Sequence, residues 1–239
     1  MKTKKYRKAR SIMLFAGIML LGPGAVFSQG KTDTEKIKLP SPARSGGMSL
    51  TEALQKRHSV RSFQEKAVTL EDVGQILWAG KGKRVDGVSG ATLTAPSAGG
   101  LYPAELFLVA GEVEGIPAGV YSYNHLSHTL EMVKNGDVRN ALTSAALNQR
   151  ALRAAPMTMV IAAVTERTTQ KYGERGAERY VSMDAGHMAE NIFLQVTALG
   201  MGTVTIGAFS DPNVKDVLGL SSTDLVPLYL MPVGHFTHR

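Results

Sequence analysis

The chain has 239 residues, 44% of them hydrophobic, no cysteine and a formal charge of +7. The length suits one domain with a sizeable core, and the lack of cysteine excludes disulfides, thiolate nucleophiles, lipid-anchored cysteines and Cys-based zinc sites. The charge is local: six of the 27 Lys and Arg residues fall between Lys2 and Arg10, and the other 21 nearly balance 20 acids, which argues against a nucleic-acid-binding surface.

Residues 1–28 read as a signal peptide. A basic start leads into an apolar run from Ile12 to about Leu21, then Gly22-Pro23-Gly24 and a small residue at Ser28. The run is shorter than the roughly 20 residues of a stable membrane span. The mature chain is therefore expected outside the cytoplasm, in a periplasm or a comparable compartment; an uncleaved membrane anchor is the alternative. Residues 29–48, with Pro40, Pro42 and Gly46-Gly47, read as a linker or loosely attached arm. The folded domain is then 49–239.

Ser49 followed by Glu52 predicts a capped helix that delivers the chain into RHSVRSF, Arg57–Phe63. Thr69 opens a second helix, TLEDVGQILWAG, and Lys81–Gly90 reads as a loop. The glycines of PSAGGLYP, Pro96–Pro103, exclude regular helix or strand. Strands are predicted in ELFLVAG, VYSYN, TLEMV and PLYLMPVGH, with MTMVIAAV (Met157–Val164) as a central one, and another in TVTIGAF ending at Gly207. The segment 137–147 is predicted helical, and Asp211 is placed as the cap of DPNVKDVLG. The longest helix signal is DAGHMAENIFLQVTALG, apolar over a wide arc, with Gly200 as its stop. Strands and helices mix without regular alternation, so the fold class is α+β.

Familiar sites can be eliminated. Gly80-Lys81 lacks the rest of a P-loop, no G-x-G-x-x-G follows a strand, Ser97 lacks the nucleophile-elbow pattern, and the histidines show no zinc spacing. What remains is RHSVRSF. If that segment is extended, Arg57, Ser59 and Arg61 leave one face of the chain. Two guanidiniums and a hydroxyl can grip a phosphate; a solvated basic patch is the equal alternative. PSAGGLYP would let backbone approach something flat, and Gly207 could offer its N–H to a ligand.

RHSVRSF, PSAGGLYPAELFLV, KYGERGAERYVSMDAGHMAENIFLQVTALGMGTVTIGAF and a terminal VGH occur in one order. Together they resemble the nitroreductase family of FMN-dependent oxidoreductases, and within it the thiazole/oxazole-forming, azoline-oxidising dehydrogenases. The resemblance runs from Ser49 to His235. It implies an antiparallel sheet flanked by helices, an intimate homodimer, and FMN at the dimer interface. It implies two-electron hydride transfer by a ping-pong mechanism on a small flat or unsaturated substrate, with NAD(P)H as one candidate donor. By position, Arg57, Ser59 and Arg61 would hold the FMN phosphate and ribityl chain, and His58 would contribute mainly backbone. Pro96, Ser97, Ala98 and Gly99 of the partner subunit would lie beside the isoalloxazine, with Ile206 and Gly207 near flavin N5. Arg239 is the late basic residue that relatives place near the phosphate, and the C-terminal arm of many relatives is short or missing here. Lys171-Tyr172 matches a pair linked in the azoline-oxidising branch to proton removal; the nearby Arg167, Arg175 and Arg179 would favour a neutral lysine. A hydrophilic loop or helix start is the competing reading of that pair. A flavin-binding or ligand-binding protein without turnover is the competing reading of the whole.

Overall fold

The computed structural model describes residues 36–84 and 92–237. The expected signal peptide 1–28, the start of the expected linker, the loop residues 85–90 and Arg239 lie outside the described residues.

Seven strands form one antiparallel sheet: β1 (Lys36–Lys38), β2 (Ala104–Ala110), β3 (Gly119–Asn124), β4 (Thr129–Asn135), β5 (Met157–Val164), β6 (Gly202–Thr203) and β7 (Leu225–Gly234), in the spatial order β1-β4-β3-β2-β5-β7-β6. The helices are α1 (Leu50–Lys56), α2 (Leu70–Lys81), α3 (Arg139–Ala145), α4 (Ala151–Ala154), α5 (Glu166–Tyr172), α6 (Val181–Ala198) and α7 (Asp211–Leu218).

The near-continuous apolar runs of β2 and β5 follow from burial on both faces. Leu106, Leu108, Met157, Met159 and Ile161 pack on one side with Ile76 and Leu77 of α2 and Ile192 and Val196 of α6. Phe107, Val109, Val160 and Ala162 pack on the other side with Leu142 of α3 and Val214 and Leu218 of α7. Each fully buried Leu, Ile or Met contributes on the order of 1.5–3 kcal/mol, so this double-faced centre is the rigid frame. Pro227 in β7 falls at a register shift opposite Ala162, where a missing N–H costs least.

Both helix starts read from the sequence form as expected: the Ser49 hydroxyl accepts from the Glu52 N–H, and Thr69 accepts from the Asp72 N–H. Four expectations change. The supposed arm enters the sheet, because Lys36–Lys38 pair with Thr129–Glu131 and Leu39 is buried. Lys81, assigned to a loop, is the buried last residue of α2. The cap of α7 is Ser210, with Asp211 already inside the helix. TVTIGAF is not one strand: β6 ends at Thr203, and Ile206 makes a separate bridge to Leu230. Polar, prolyl and glycyl residues signal local structure, whereas long-range pairing decides these cases.

Candidate functional site

The segment after α1 is extended, as its alternation implies. Val60 N–H donates to Thr203 O at 2.8 Å, and Ser59 bridges Thr203 in parallel. Gly202 permits this approach: a Cβ there would sit 2.6 Å from Val60 side-chain carbons. With Val60 turned into the core, Arg57, Ser59 and Arg61 fall on the opposite side; Ser59 and Arg61 are exposed and Arg57 is half-buried. Arg57 lies over the Phe193 ring at 4.7 Å and 3.9 Å from Glu190, a loose ion pair. The side chains of Ser59 and Arg61 have no hydrogen-bond partner among the described residues. His58 turns away from this fork: its Nδ1 meets Lys56 O at 2.9 Å, its ring packs edge-on to Phe236, and it lines a separate cleft of ≈390 Å³.

The turn Pro96–Pro103 is built differently. It contains one 3₁₀ turn at Ala98–Gly100, with Gly99 at φ 63° and Tyr102 at φ 47°. The Asp184 carboxylate, buried in α6, accepts from Ser97 Oγ at 2.5 Å and from the Ala98 N–H at 3.1 Å. Ser97 Oγ in turn accepts from the Tyr102 N–H at 2.8 Å, and Pro96 O lies 3.3 Å from His187 Nδ1. A Cβ on Gly99 would sit 2.6 Å from Tyr172 Oη and 2.9 Å from Lys171 Nζ. So the amine and the phenol both converge on the glycine, which no other residue could replace without displacing them. Tyr172 is braced edge-on by Tyr180, and Arg175 donates to the Tyr180 hydroxyl.

Within one chain the predicted residues thus form two groups, Arg57–Ser59–Arg61 and Gly99–Lys171–Tyr172. They are attached to different turns of α6. Asp184 and Glu190 are six positions apart, about 9 Å along a helix axis. Ile206 and Gly207 stand on β7's flank. Ile206 is a core residue whose N–H and C=O are both bonded to Leu230 at 2.9 Å, so of these two it is Gly207, exposed and beside the Tyr229 ring, that can offer an N–H to a ligand.

Asp184, Lys81 and Glu105 have no site role in the sequence reading, and Arg167 enters it only as a basic neighbour of Lys171. Lys81 is buried and donates to Glu105 Oε2 at 2.5 Å; Arg167 donates to Glu105 Oε1 at 2.5 Å and to Tyr102 O at 3.0 Å. Burial pushes the Lys81 ammonium below the usual lysine range; Glu105 opposes this and Arg167 reinforces it. His125 beside them is likewise lowered, first by burial and then by Lys81. One signal was present: Asp184 lies one turn before Met188, on the apolar arc of its helix, where an unpaired carboxylate would be costly.

Residues 54–235 match the Nitroreductase family. MJ1384 of Methanocaldococcus jannaschii, a protein named for the nitroreductases, is 40% identical over 202 residues, covering 84% of this chain and 97% of that one. A crystal structure from Ralstonia eutropha, also titled a nitroreductase, superposes with a TM-score of 0.73 at 28% identity, covering 87% of this chain and 92% of the other. The microcin B17-processing protein McbC of Escherichia coli is 28% identical over 144 residues, 58% of this chain and 53% of that protein. The expected fold and branch are those found. The chain belongs to the nitroreductase family of oxidoreductases, and its relatives include proteins named for microcin B17 and trifolitoxin processing.

Proposed function

We propose that this flavin-type oxidoreductase holds FMN through Arg57, Ser59 and Arg61 and exchanges two electrons, in ping-pong fashion, with small flat or unsaturated molecules. The observation that carries the reading is the uncommitted fork: two guanidiniums and a hydroxyl on one side of a rigid extended segment, with almost no internal acceptor. Such a row fits a phosphate dianion, which accepts charge-assisted bonds from all three groups. The exposed Gly207 N–H fits a ligand heteroatom. FMN, when bound, supplies a two-electron acceptor and donor that no side chain offers.

The remaining roles fall to the chain. Arg57 and Arg61 neutralise the phosphate and Ser59 donates to it. Lys171 Nζ and Tyr172 Oη, gathered over Gly99, hold or move a proton at the substrate. We further propose a homodimer. Leu50 and Leu54 are 65% and 54% exposed, and Met48, Trp78, Leu194 and Ala198 line a cleft beside Leu50. That apolar face calls for a cover. A second copy there could bring its Pro96–Gly99 turn to the fork, which one chain keeps separate. The N-terminal segment supports export. Since NADH and NADPH are scarce outside the cytoplasm, another donor or direct substrate dehydrogenation becomes attractive.

The test is an absorption spectrum of the purified mature protein, followed by anaerobic titration with NADH, NADPH and dithionite. Bound flavin bleached by a nicotinamide supports the oxidoreductase with that donor. Bleaching by dithionite alone points to a different physiological donor. A yellow protein without turnover for any donor–acceptor pair would be a flavin-binding protein only. A colourless protein that does not take up added FMN would end the proposal.

A further inference from the structure

We propose that Arg167, held by the Lys81–Glu105 pair, is the positioning residue that sets Lys171 and Tyr172 over Gly99. The inference rests on the catalytic reading of that pair but stands on separate observations. Helix α5 has seven residues, and Thr168 is its buried residue. A helix that short is far below the ~12–15 residues at which isolated helices become even marginal in water. Its packing consists of the buried Thr168 and the Tyr172–Tyr180 ring contact at its far end, so polar ties carry the direction of its first turn.

The main tie is at its first turn. Arg167 Nη1 is shared between Glu105 Oε1, at the start of β2, and Tyr102 O, in the turn that carries Gly99. One guanidinium thus joins α5 both to the sheet and to the turn. Glu105 is itself fixed from behind: its other oxygen accepts from Lys81, which is 2% exposed at the end of α2. A buried ammonium has no alternative partner in water, so Glu105 cannot swing out without stranding it. Its carboxylate is a pivot pinned on one side and gripping α5 on the other.

Arg167 and Lys171 are four residues apart and share one side of α5. A tilt about the first turn moves Lys171 Nζ by a comparable distance at the far end, where a displacement near 1 Å is enough to cost about 100-fold in rate. The chain from Lys81 through Glu105 to Arg167 therefore converts core rigidity into placement of an exposed amine.

The experiment uses the full mature chain and two readouts. Amide exchange across residues 166–172 reports the clamp without reference to catalysis. Arg167 is 44% exposed on its side chain, so Arg167→Ala should fold. Exchange there should rise about tenfold, with little change in α6. In turnover, kcat should fall about tenfold with KM within about twofold, because positioning is lost rather than binding. Arg167→Lys, able to reach one acceptor, should recover part of both effects. Glu105→Gln, which keeps an acceptor and the shape, should reproduce the exchange increase if Arg167 acts through this carboxylate. Unchanged exchange in both Arg167→Ala and Glu105→Gln overturns the inference, whatever the activity. Raised exchange while Lys171→Ala and Tyr172→Phe turn over normally would keep the clamp and discard the catalytic reading of the pair.

Discussion

The fork at Arg57–Arg61 and the turn at Pro96–Pro103 both lean on α6, yet they are built on opposite principles. The fork is fixed by its backbone, through Val60 and Thr203, and leaves its charged groups almost without internal partners. The turn is fixed by its side chains: Ser97 bonds a buried carboxylate, and Arg167 locks Tyr102 from outside. Polar groups left open at a rigid edge are suited to a ligand. Polar groups satisfied internally are suited to holding geometry. The first kind should matter for binding and little for folding, and the second should matter for both.

The sharpest test of that contrast is the double variant Arg57→Ala with Arg61→Ala. FMN affinity, measured by fluorescence on refilling the apoprotein, should fall at least about 100-fold, since two charge-assisted bonds of roughly 1.5–3 kcal/mol each are lost. Stability without FMN should fall by no more than about 1 kcal/mol, because Arg61 is exposed and half-buried Arg57 loses one cation–π contact with Phe193. Undiminished affinity removes the phosphate assignment of the fork. A large stability loss in the apoprotein would erase the contrast.

Next comes Asp184→Ala. It leaves the half-buried Ser97 hydroxyl and Ala98 N–H without their acceptor, so urea unfolding should show a loss of about 1–2 kcal/mol. Asp184→Asn, which keeps an acceptor, should cost clearly less. Equal costs would mean that packing, not the hydrogen bonds, holds the turn.

Gly99→Ala should cost about 1–2 kcal/mol for its positive φ alone. It should also push Lys171 and Tyr172 aside, lowering kcat more than it lowers affinity for FMN. Normal turnover in a folded Gly99→Ala protein would separate the pair from the chemistry.

The smallest effect expected is a pH dependence on the turn's side. His125, lining a cleft with Lys81, Glu105 and Arg167, has its folded pKa lowered by burial and by Lys81. Below the unfolded histidine value of about 6.5, the unfolded chain takes up a proton that the folded chain resists. Stability is therefore full above that value and declines as pH falls toward the lowered folded one. His125→Gln should flatten part of that decline below about pH 6.5. An identical slope in the variant would place the titration elsewhere; His128 and His235 shift in the same direction, chiefly by burial.

Legibility followed the range of the interactions. The extended fork, the caps at Ser49 and Thr69, the strand at Met157–Val164 and the glycine turn were readable because local residue types signal each of them, although distant partners then fix the fork and the turn. Asp184 was hidden by its partner 87 positions earlier. Lys81 and Glu105 were hidden because a lysine near glycines looks like a solvated loop until the sheet places a carboxylate 24 positions on beside it. TVTIGAF misled for a similar reason: its β-branched residues have strand propensity, but Thr203 pairs with Val233 and Ile206 with Leu230, leaving a break between them.

The order of short motifs and the periodicity of the apolar residues determined family, fold class and the direction in which the two arginines point, because those properties reside in local backbone preference and in which face must leave water. Tertiary structure alone decided which charges are open and which are already spent. A side chain's partner is set by elements that arrive from elsewhere in the chain, and the same arginine reads identically in sequence whether it meets solvent, like Arg61, or a pinned carboxylate, like Arg167.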